Sequence, residues 1–313
     1  MKMKWVCVVC AFLLSQAFSQ EENIIDLAKK LGASTLLQFV QDAGLTDVLS
    51  SKGPFTLFAP SDAAFSSLSP DVIQKLKSDK QLLTSVLFAH IVNKTMLSKS
   101  LKDDELVPSM NKDVGIRINK YLPRFVRPIP PPTVTANGCQ VTLVDQKATN
   151  GVIQVISRVM YPFPLKENIV ETVHNTSSLS TLYKAMIATG VSDIIADGGP
   201  FTLFAPPDDA FNKLPPGTVD SLLKNKTAAE RVVTYHLIGG SKYKVGLLPY
   251  NTSHPGIHDT FLPTIEGGQL VFTLDVDGLL IIDRKYKIVK TDMTVSNGVI
   301  HTIDSVMIPP PFP

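Results

Sequence analysis

The sequence predicts an α+β fold, made twice. Three observations carry that expectation: an eleven-residue segment returns 146 residues later, helical periodicities cluster in the first half of each copy, and β-favouring runs cluster in the second. The segment is Phe55-Thr56-Leu57-Phe58-Ala59-Pro60-Ser61-Asp62-Ala63-Ala64-Phe65, which recurs as Phe201-Thr202-Leu203-Phe204-Ala205-Pro206-Pro207-Asp208-Asp209-Ala210-Phe211. Near the end of each copy Asn150-Gly151-Val152-Ile153 matches Asn297-Gly298-Val299-Ile300 at an offset of 147. A period this long means duplicated domains rather than a solenoid of short units.

The copies run from about Glu22 to Pro162 and from about Glu167 to Pro309, joined by a proline-bearing stretch, Tyr161 to Lys166, that favours limited relative orientations. In the first copy Leu36, Leu37 and Val40, then Leu45, Val48 and Leu49, have helical spacing interrupted at Gly44, so two short helices are expected. Phe55 to Ala59 is an apolar, β-favouring run between Gly53-Pro54 and Pro60, the pattern of a buried strand. Ser61 and Asp62, with Asp208 in the second copy, read as caps of the helix that follows rather than as catalytic acids. Ser69-Pro70-Asp71 opens another helix, with proline where its missing N–H costs nothing.

The next helix puts Leu82, Leu83, Val86, Leu87 and His90 on one face, matched by Ala228, Ala229, Val232, Val233 and His236. Asn137-Gly138 and Asp277-Gly278 read as tight hairpin turns whose residues tolerate positive φ, and Val152 to Met160 and Val299 to Ile308 read as closing strands. Asn150-Gly151 and Asn297-Gly298 read as turns that set strand register.

The 313-residue composition, 44% hydrophobic and 19% charged, is globular and excludes disorder, collagen and coiled coil. Two lysines, the apolar run Trp5 to Leu14 and the small residues flanking Phe18 read as a secretory signal peptide over residues 1–19. Removing it leaves 28 basic against 28 acidic residues, and a neutral chain has no general field for nucleic acid or acidic membrane. It also removes Cys7 and Cys10, so the apparent C-x-x-C is spurious and Cys139, expected buried and inert, is the one thiol left. No transmembrane segment and no lipid-anchor tail are read, and a secreted, soluble protein is expected.

Thr-Leu-Phe-Ala-Pro-x-Asp-x-Ala-Phe in both copies, with Asn-Gly-Val-Ile-His-x-Ile-Asp-x-Val-Met near the end of the second, resembles the two signature blocks of the fasciclin-like domain. Tyr235-His236 lies between the blocks, as in that family. The resemblance covers nearly all of the chain beyond residue 22 and implies tandem domains, each a twisted β-wedge flanked by short helices, in secreted proteins of adhesion and matrix. It further implies integrin recognition through Tyr235, His236 and an aspartate five residues before Asn-Gly-Val, here Asp145 and Asp292. An exposed aspartate can complete an integrin's divalent metal shell, and Asp292 lies in a polar break beside Ile288-Val289 where exposure is expected. The first copy departs from the pattern at Gln154, Ser157 and Ala89, which places motif-borne activity in the second domain.

Nothing in the sequence assembles catalytic machinery, a cofactor site or a metal site. His254 and His258 are separated by a helix-breaking Pro-Gly, and Asp275-x-Asp277-Gly278 lacks the remaining ligands of a calcium loop and reads as a turn. His90 and His236 read chiefly as core histidines. Asn93, Asn175, Asn225 and Asn251 each begin a glycosylation sequon, Asn225 and Asn251 in the clearest surface contexts. Arg117, Lys120, Arg124 and Arg127 lead into Pro128, Pro130, Pro131 and Pro132, a solvated loop by default and a glycosaminoglycan contact in the sharper reading. The function expected is non-enzymatic cell adhesion or matrix interaction. A soluble carrier of a small apolar or carbohydrate ligand and a purely structural matrix component are the alternatives.

Overall fold

The computed structural model describes residues 22–122, 131–160, 167–248 and 259–310. The first domain begins with α1 (Ile24–Lys30), α2 (Ser34–Ala43) and α3 (Thr46–Ser50), continues through β1 (Phe55–Pro60), α4 (Asp62–Ser66), α5 (Pro70–Ser78) and α6 (Lys80–Ala89), and reaches β2 (Ile91–Val92). Its second half is β3 (Glu105–Pro108), β4 (Gly115–Tyr121), β5 (Thr133–Ala136), β6 (Cys139–Ala148) and β7 (Gly151–Ile156). The second domain repeats the plan with α7 (Ile169–Asn175), α8 (Ser180–Thr189), α9 (Val191–Asp197), β8 (Phe201–Ala205), α10 (Asp208–Asn212), α11 (Thr218–Lys224), α12 (Lys226–Tyr235) and β9 (Leu237–Gly239). It ends in α13 (Lys244–Leu247), β10 (Thr260–Pro263), β11 (Gln269–Leu274), β12 (Leu280–Ile282), β13 (Tyr286–Val295) and β14 (Gly298–Ile303).

Among the described residues each domain has one seven-stranded sheet, ordered β2-β1-β7-β6-β5-β4-β3 and β10-β11-β12-β13-β14-β8-β9. The two signature blocks are its centre: β1 runs parallel to β7, and β8 to β14, with Phe55 opposite Gly151 and Phe201 opposite Gly298. Every residue of β1 is buried because helices cover one face and the sheet curls over the other. Leu57, Ile153 and Val155 join the helical core with Leu36, Phe39 and Leu87. Phe58 and Ile156 point the other way, into a cluster with Ile116, Ile118 and Val134. The α+β wedge expected from the sequence is therefore two cores per domain, split by the β1/β7 ladder.

The helix break at Gly44 is present, with φ of 74° ending α2 in a left-handed cap. Ser61 caps α4 as expected, accepting from Ala64 N–H, but Asp62 does not. Its Oδ1 accepts from Thr35 N–H at 2.7 Å and so caps α2, whose own N-cap, Ala33, has no side-chain oxygen to offer. Asp208 does the same for α8 through Thr181 N–H and the Ser180 hydroxyl. The closing strands are shorter than expected, ending at Ile156 and Ile303, because Met160 N–H and Met307 N–H leave the ladder for imidazole acceptors. The Asn137-Gly138 turn has both residues at positive φ, whereas at Asp277-Gly278 only Gly278 does. There Asp275 Oδ1 closes a wider turn by accepting from Asp277 and Leu279 N–H.

Asn150 and Asn297 do more than turn the chain. Asn150 Oδ1 accepts from Ile24 N–H at the start of α1, while Nδ2 donates to Leu49 and Ser51 carbonyls at the end of α3. Asn297 repeats this with Ile169 N–H and the Ile195 carbonyl. Asn150→Ala is expected to lower stability by about 2 kcal/mol, since buried backbone groups lose their partner. Urea unfolding measures it, and a change below about 0.5 kcal/mol would reject the clamp.

Candidate functional site

The two aspartates singled out by the sequence occupy one structural position. Asp145 in β6 and Asp292 in β13 sit where the register against the closing strand shifts, each at positive φ, 57° and 66°. A side chain from that strand accepts each freed N–H: Gln154 Oε1 takes Asp145 N–H at 2.9 Å, and His301 Nδ1 takes Asp292 N–H at 3.1 Å. The far ends of these side chains reach equivalent carbonyls, Gln154 Nε2 to Met96 and His301 Nε2 to Lys242. Gln154 thus makes the same two contacts as His301, so the departure of the first copy from the sequence pattern preserves the wiring. His301 holds its proton on Nε2, and burial keeps its pKa below the usual value against the raising effect of Asp292.

The carboxylates themselves differ. Asp145 stays within its own domain, accepting from Ser98 N–H, the Ser98 hydroxyl and Gln154 Nε2. Burial alone would raise its pKa, but the bonds from Gln154 and Ser98 outweigh it and hold the carboxyl low. Asp292 accepts from Lys244 N–H and, at 3.0 Å, from the guanidinium of Arg158 in the first domain. The exposure expected of Asp292 is corrected by this contact: its side chain is 6% exposed because the other domain covers it.

Tyr235 and His236 end α12 and are buried. The Tyr235 hydroxyl lies 3.4 Å from Asp283, and burial beside that carboxylate pushes its pKa up to about 12. His236 Nδ1–H donates to the Val232 carbonyl and Nε2 accepts from Met307 N–H; His90 does the same with Val86 and Met160. Burial lowers both imidazoles to about 4. Each is a neutral rivet between the last helix before the strands and the chain leaving the domain.

Beyond Asp292, the structure joins the domains chiefly through residues the sequence did not single out, with Arg117 among them in a different role. Ser241 N–H donates to both Asp104 oxygens at 3.1 Å, and its carbonyl accepts from Asn119 Nδ2 and the Tyr121 hydroxyl. The same hydroxyl accepts from Tyr243 N–H at 3.0 Å. Arg117 donates to the Ser296 carbonyl at 2.7 Å and is buried, which corrects its reading as part of a solvated basic loop. The alternation of β4 does point Arg117, Asn119 and Tyr121 away from their own core, but the second domain stands where solvent was expected. Two glycines permit this approach. A Cβ on Gly138 would lie 2.3 Å from the Tyr243 ring, and one on Gly246 would lie 2.2 Å from the Tyr121 ring.

Among the sequons, Asn93, Asn175 and Asn225 are exposed. Asn225 uses Oδ1 to cap α12 through Ala228 N–H, which leaves its amide nitrogen for a glycan. Asn251, His254, His258, Arg124, Arg127, Pro128, Pro130, residues 1–19 and the joint at 161–166 lie outside the described residues. Cys139 is buried, and burial raises its thiol to about 11. No described helix is long and apolar enough to cross a membrane.

Comparison with known families matches the fasciclin domain over residues 31–162 and again over 177–309. The chain belongs to the fasciclin family. Its fasciclin domains are 32% identical to human periostin over 280 residues, covering 89% of this chain and 31% of that protein. They are 30% identical to the pig transforming growth factor-beta-induced protein ig-h3 over 258 residues, covering 82% and 35%. The chain thus spans about a third of the length of these relatives. The solved FAS1 domain pair of the insect cell adhesion molecule fasciclin I is also similar, with a TM-score of 0.41 and 20% identity over 90% of this chain and 98% of that one.

Proposed function

We propose that the protein is a secreted, non-enzymatic adhesion or matrix-interaction module whose paired fasciclin domains act as one rigid recognition unit. The tandem fasciclin match over both halves is the observation that carries this reading. Secretion rests on the leader pattern of residues 1–19 and on the sequons at Asn93, Asn175, Asn225 and Asn251. The partner proposed is an integrin-like receptor or a matrix protein, with a glycosaminoglycan as a further matrix ligand.

Asp292 is proposed as the ligand to the receptor's metal, while Tyr235 and His236, buried at the end of α12, and Asp145, bonded to Ser98 and Gln154, would serve recognition only by holding the folds of their own domains. For Asp292 to act so, the receptor's cation must displace Arg158, whose side chain is 47% exposed at the rim of the contact. That displacement uncovers a carboxylate that is only 6% exposed, so it costs more than the roughly 1 kcal/mol of a fully exposed pair, and the cation's own bond to the carboxylate has to offset it. Adhesion of integrin-bearing cells to surfaces coated with the purified protein tests the proposal. Adhesion is expected to fall at least about tenfold with EDTA and with Asp292→Ala, and to rise with Arg158→Ala. Adhesion indifferent to both EDTA and Asp292→Ala would reject the metal route. No adhesion to cells, matrix proteins or glycosaminoglycan would reject the function as a whole.

A further inference from the structure

The duplication makes a comparison possible that neither domain offers alone. In the second domain the surface formed by Ser241, Tyr243 and Ser296 receives the first domain. The equivalent positions in the first domain are Thr95, Leu97 and Thr149, fixed by matching hydrogen bonds: Thr56 Oγ1 to Lys94 O answers Thr202 Oγ1 to Gly240 O, and Ser98 N–H to Asp145 answers Lys244 N–H to Asp292. Thr95, Leu97 and Thr149 line an open cavity of about 320 Å³, rimmed by Lys52 and Lys147. The first domain therefore carries, uncovered by any described residue, the docking surface that its neighbour uses.

The complementary half is also present, and no described residue covers it. In the first domain it is the outer face of β4 with Asp104; in the second, strand pairing places Val271 of β11 where Arg117 stands, and the same register carries Thr273 to the place of Asn119 and Asp275, just beyond the strand, to that of Tyr121. Asp283 at the turn exchanges backbone and side-chain bonds with Val271 as Asn137 does with Arg117. Asp259 stands at the position of Asp104, one residue before its edge strand. Arg117 and Asn119 are buried by the second domain, while Val271 and Thr273 remain half-exposed.

We infer that this face of one molecule docks into the Lys52/Lys147 cavity of a second copy, repeating between molecules the contact that joins the two domains within one. The charges have moved in step. Inside the molecule the cation is on the face, Arg117, and the groove has Gly198 and Thr294. Between molecules the groove has the cations, Lys52 and Lys147, and the face has Asp275 together with Asp259, whose carboxylate also bonds the exposed Arg284 at 3.4 Å. Asp259 meets Thr95 N–H as Asp104 meets Ser241 N–H. The contact is heterologous, so it propagates head to tail rather than closing as a symmetric dimer. It lacks the covalent joint that gives the internal contact an effective concentration in the millimolar range, so it forms at high local concentration, as on a matrix.

Sedimentation equilibrium on the full mature chain, from about 10 to about 500 µM, tests this. Weight-average mass is expected to rise at least about 1.5-fold across that range at low salt and to lose most of the rise at high salt. Lys147→Glu in the groove and Thr273→Lys on the face should each abolish the rise, and an equimolar mixture should recover it, stopping near twice the monomer mass because only one intact groove meets one intact face. Circular dichroism melting verifies the fold of each variant, with Lys52→Glu and Val271→Lys as replacements for one that fails. A wild-type chain that stays monomeric throughout, a rise that both variants leave intact, or a mixture that does not recover association would each overturn the inference. Mass is read without cells, so this outcome is separate from that of the adhesion experiment.

Discussion

Between pH 7.5 and 4.5 the protein is expected to lose about 2.5 kcal/mol of stability for each of His90 and His236. Both rings are fully buried and neutral, and burial lowers them from 6.5 to about 4. A lowered imidazole means that the unfolded chain binds the extra proton first. The contribution is therefore complete above about pH 6.5 and is lost as pH falls toward the folded value near 4. Protonation also forces a hydrogen onto Nε2, which in the fold accepts from Met160 or Met307 N–H, so the rivet to the departing chain breaks as the charge arrives. The carboxylates held low, Asp62, Asp145 and Asp208, act in a lower window, because their contribution is lost only as pH falls through and below the ordinary carboxylate range. Urea unfolding at pH 7.5, 6.0, 5.0 and 4.5 separates the two effects. His301→Gln gives an internal control: glutamine makes both contacts in the first copy, so the substitution should keep the fold and remove the His301 part of the slope. A flat stability profile between pH 7.5 and 4.5 would refute the assignment.

Much of the fold is legible in the sequence because it is set by local chemistry and by repetition. The β1 ladder shows as an apolar run between prolines, the α2/α3 break as Gly44, and the doubled architecture as the returning eleven-residue segment. What is not legible depends on partners distant in sequence. Asp62 looks like the cap of the helix it begins, yet Ala33 leaves α2 without a capping oxygen and draws the carboxylate there. Gln154 looks like a departure from a histidine pattern, yet amide and imidazole each present an acceptor and a donor across the same gap. Asp292 looks exposed because its strand neighbours Lys290 and Thr291 are polar, and only the other domain's Arg158 makes it otherwise. The interface escapes for the same reason: Arg117 and Asn119 alternate with Ile116 and Ile118 as a solvated strand face does, and Ser241 to Tyr243 read as a loop. Glycine at 138 and 246 is the one local trace, since at both positions a Cβ would strike a tyrosine of the opposite domain.

Tyr243→Ala is expected to cost about 3 to 5 kcal/mol and to uncouple the two domains. The ring is completely buried, packs on the Gly138 turn of the first domain, and bonds Thr294 through its hydroxyl at 3.1 Å. Truncation removes that apolar surface, leaves a cavity between two domains that cannot collapse without sliding, and strands the Thr294 hydroxyl. It also loosens the segment whose backbone holds Asp104, Asn119 and Tyr121, so the polar bonds of the interface weaken together rather than one at a time. Wild-type unfolding should be a single calorimetric transition, because neither domain can open without exposing to water the Tyr121 and Tyr243 rings that the interface buries. The variant should show two transitions at lower temperature and a larger radius of gyration in solution scattering. Arg117→Met separates shape from charge: the side chain keeps its packing while the Ser296 and Asp104 carbonyls lose their donor, so stability should fall by about 1 to 3 kcal/mol with the single transition retained. Retention of one transition and of the compact radius in Tyr243→Ala would mean that the covalent joint, not the buried interface, sets how the two domains are held.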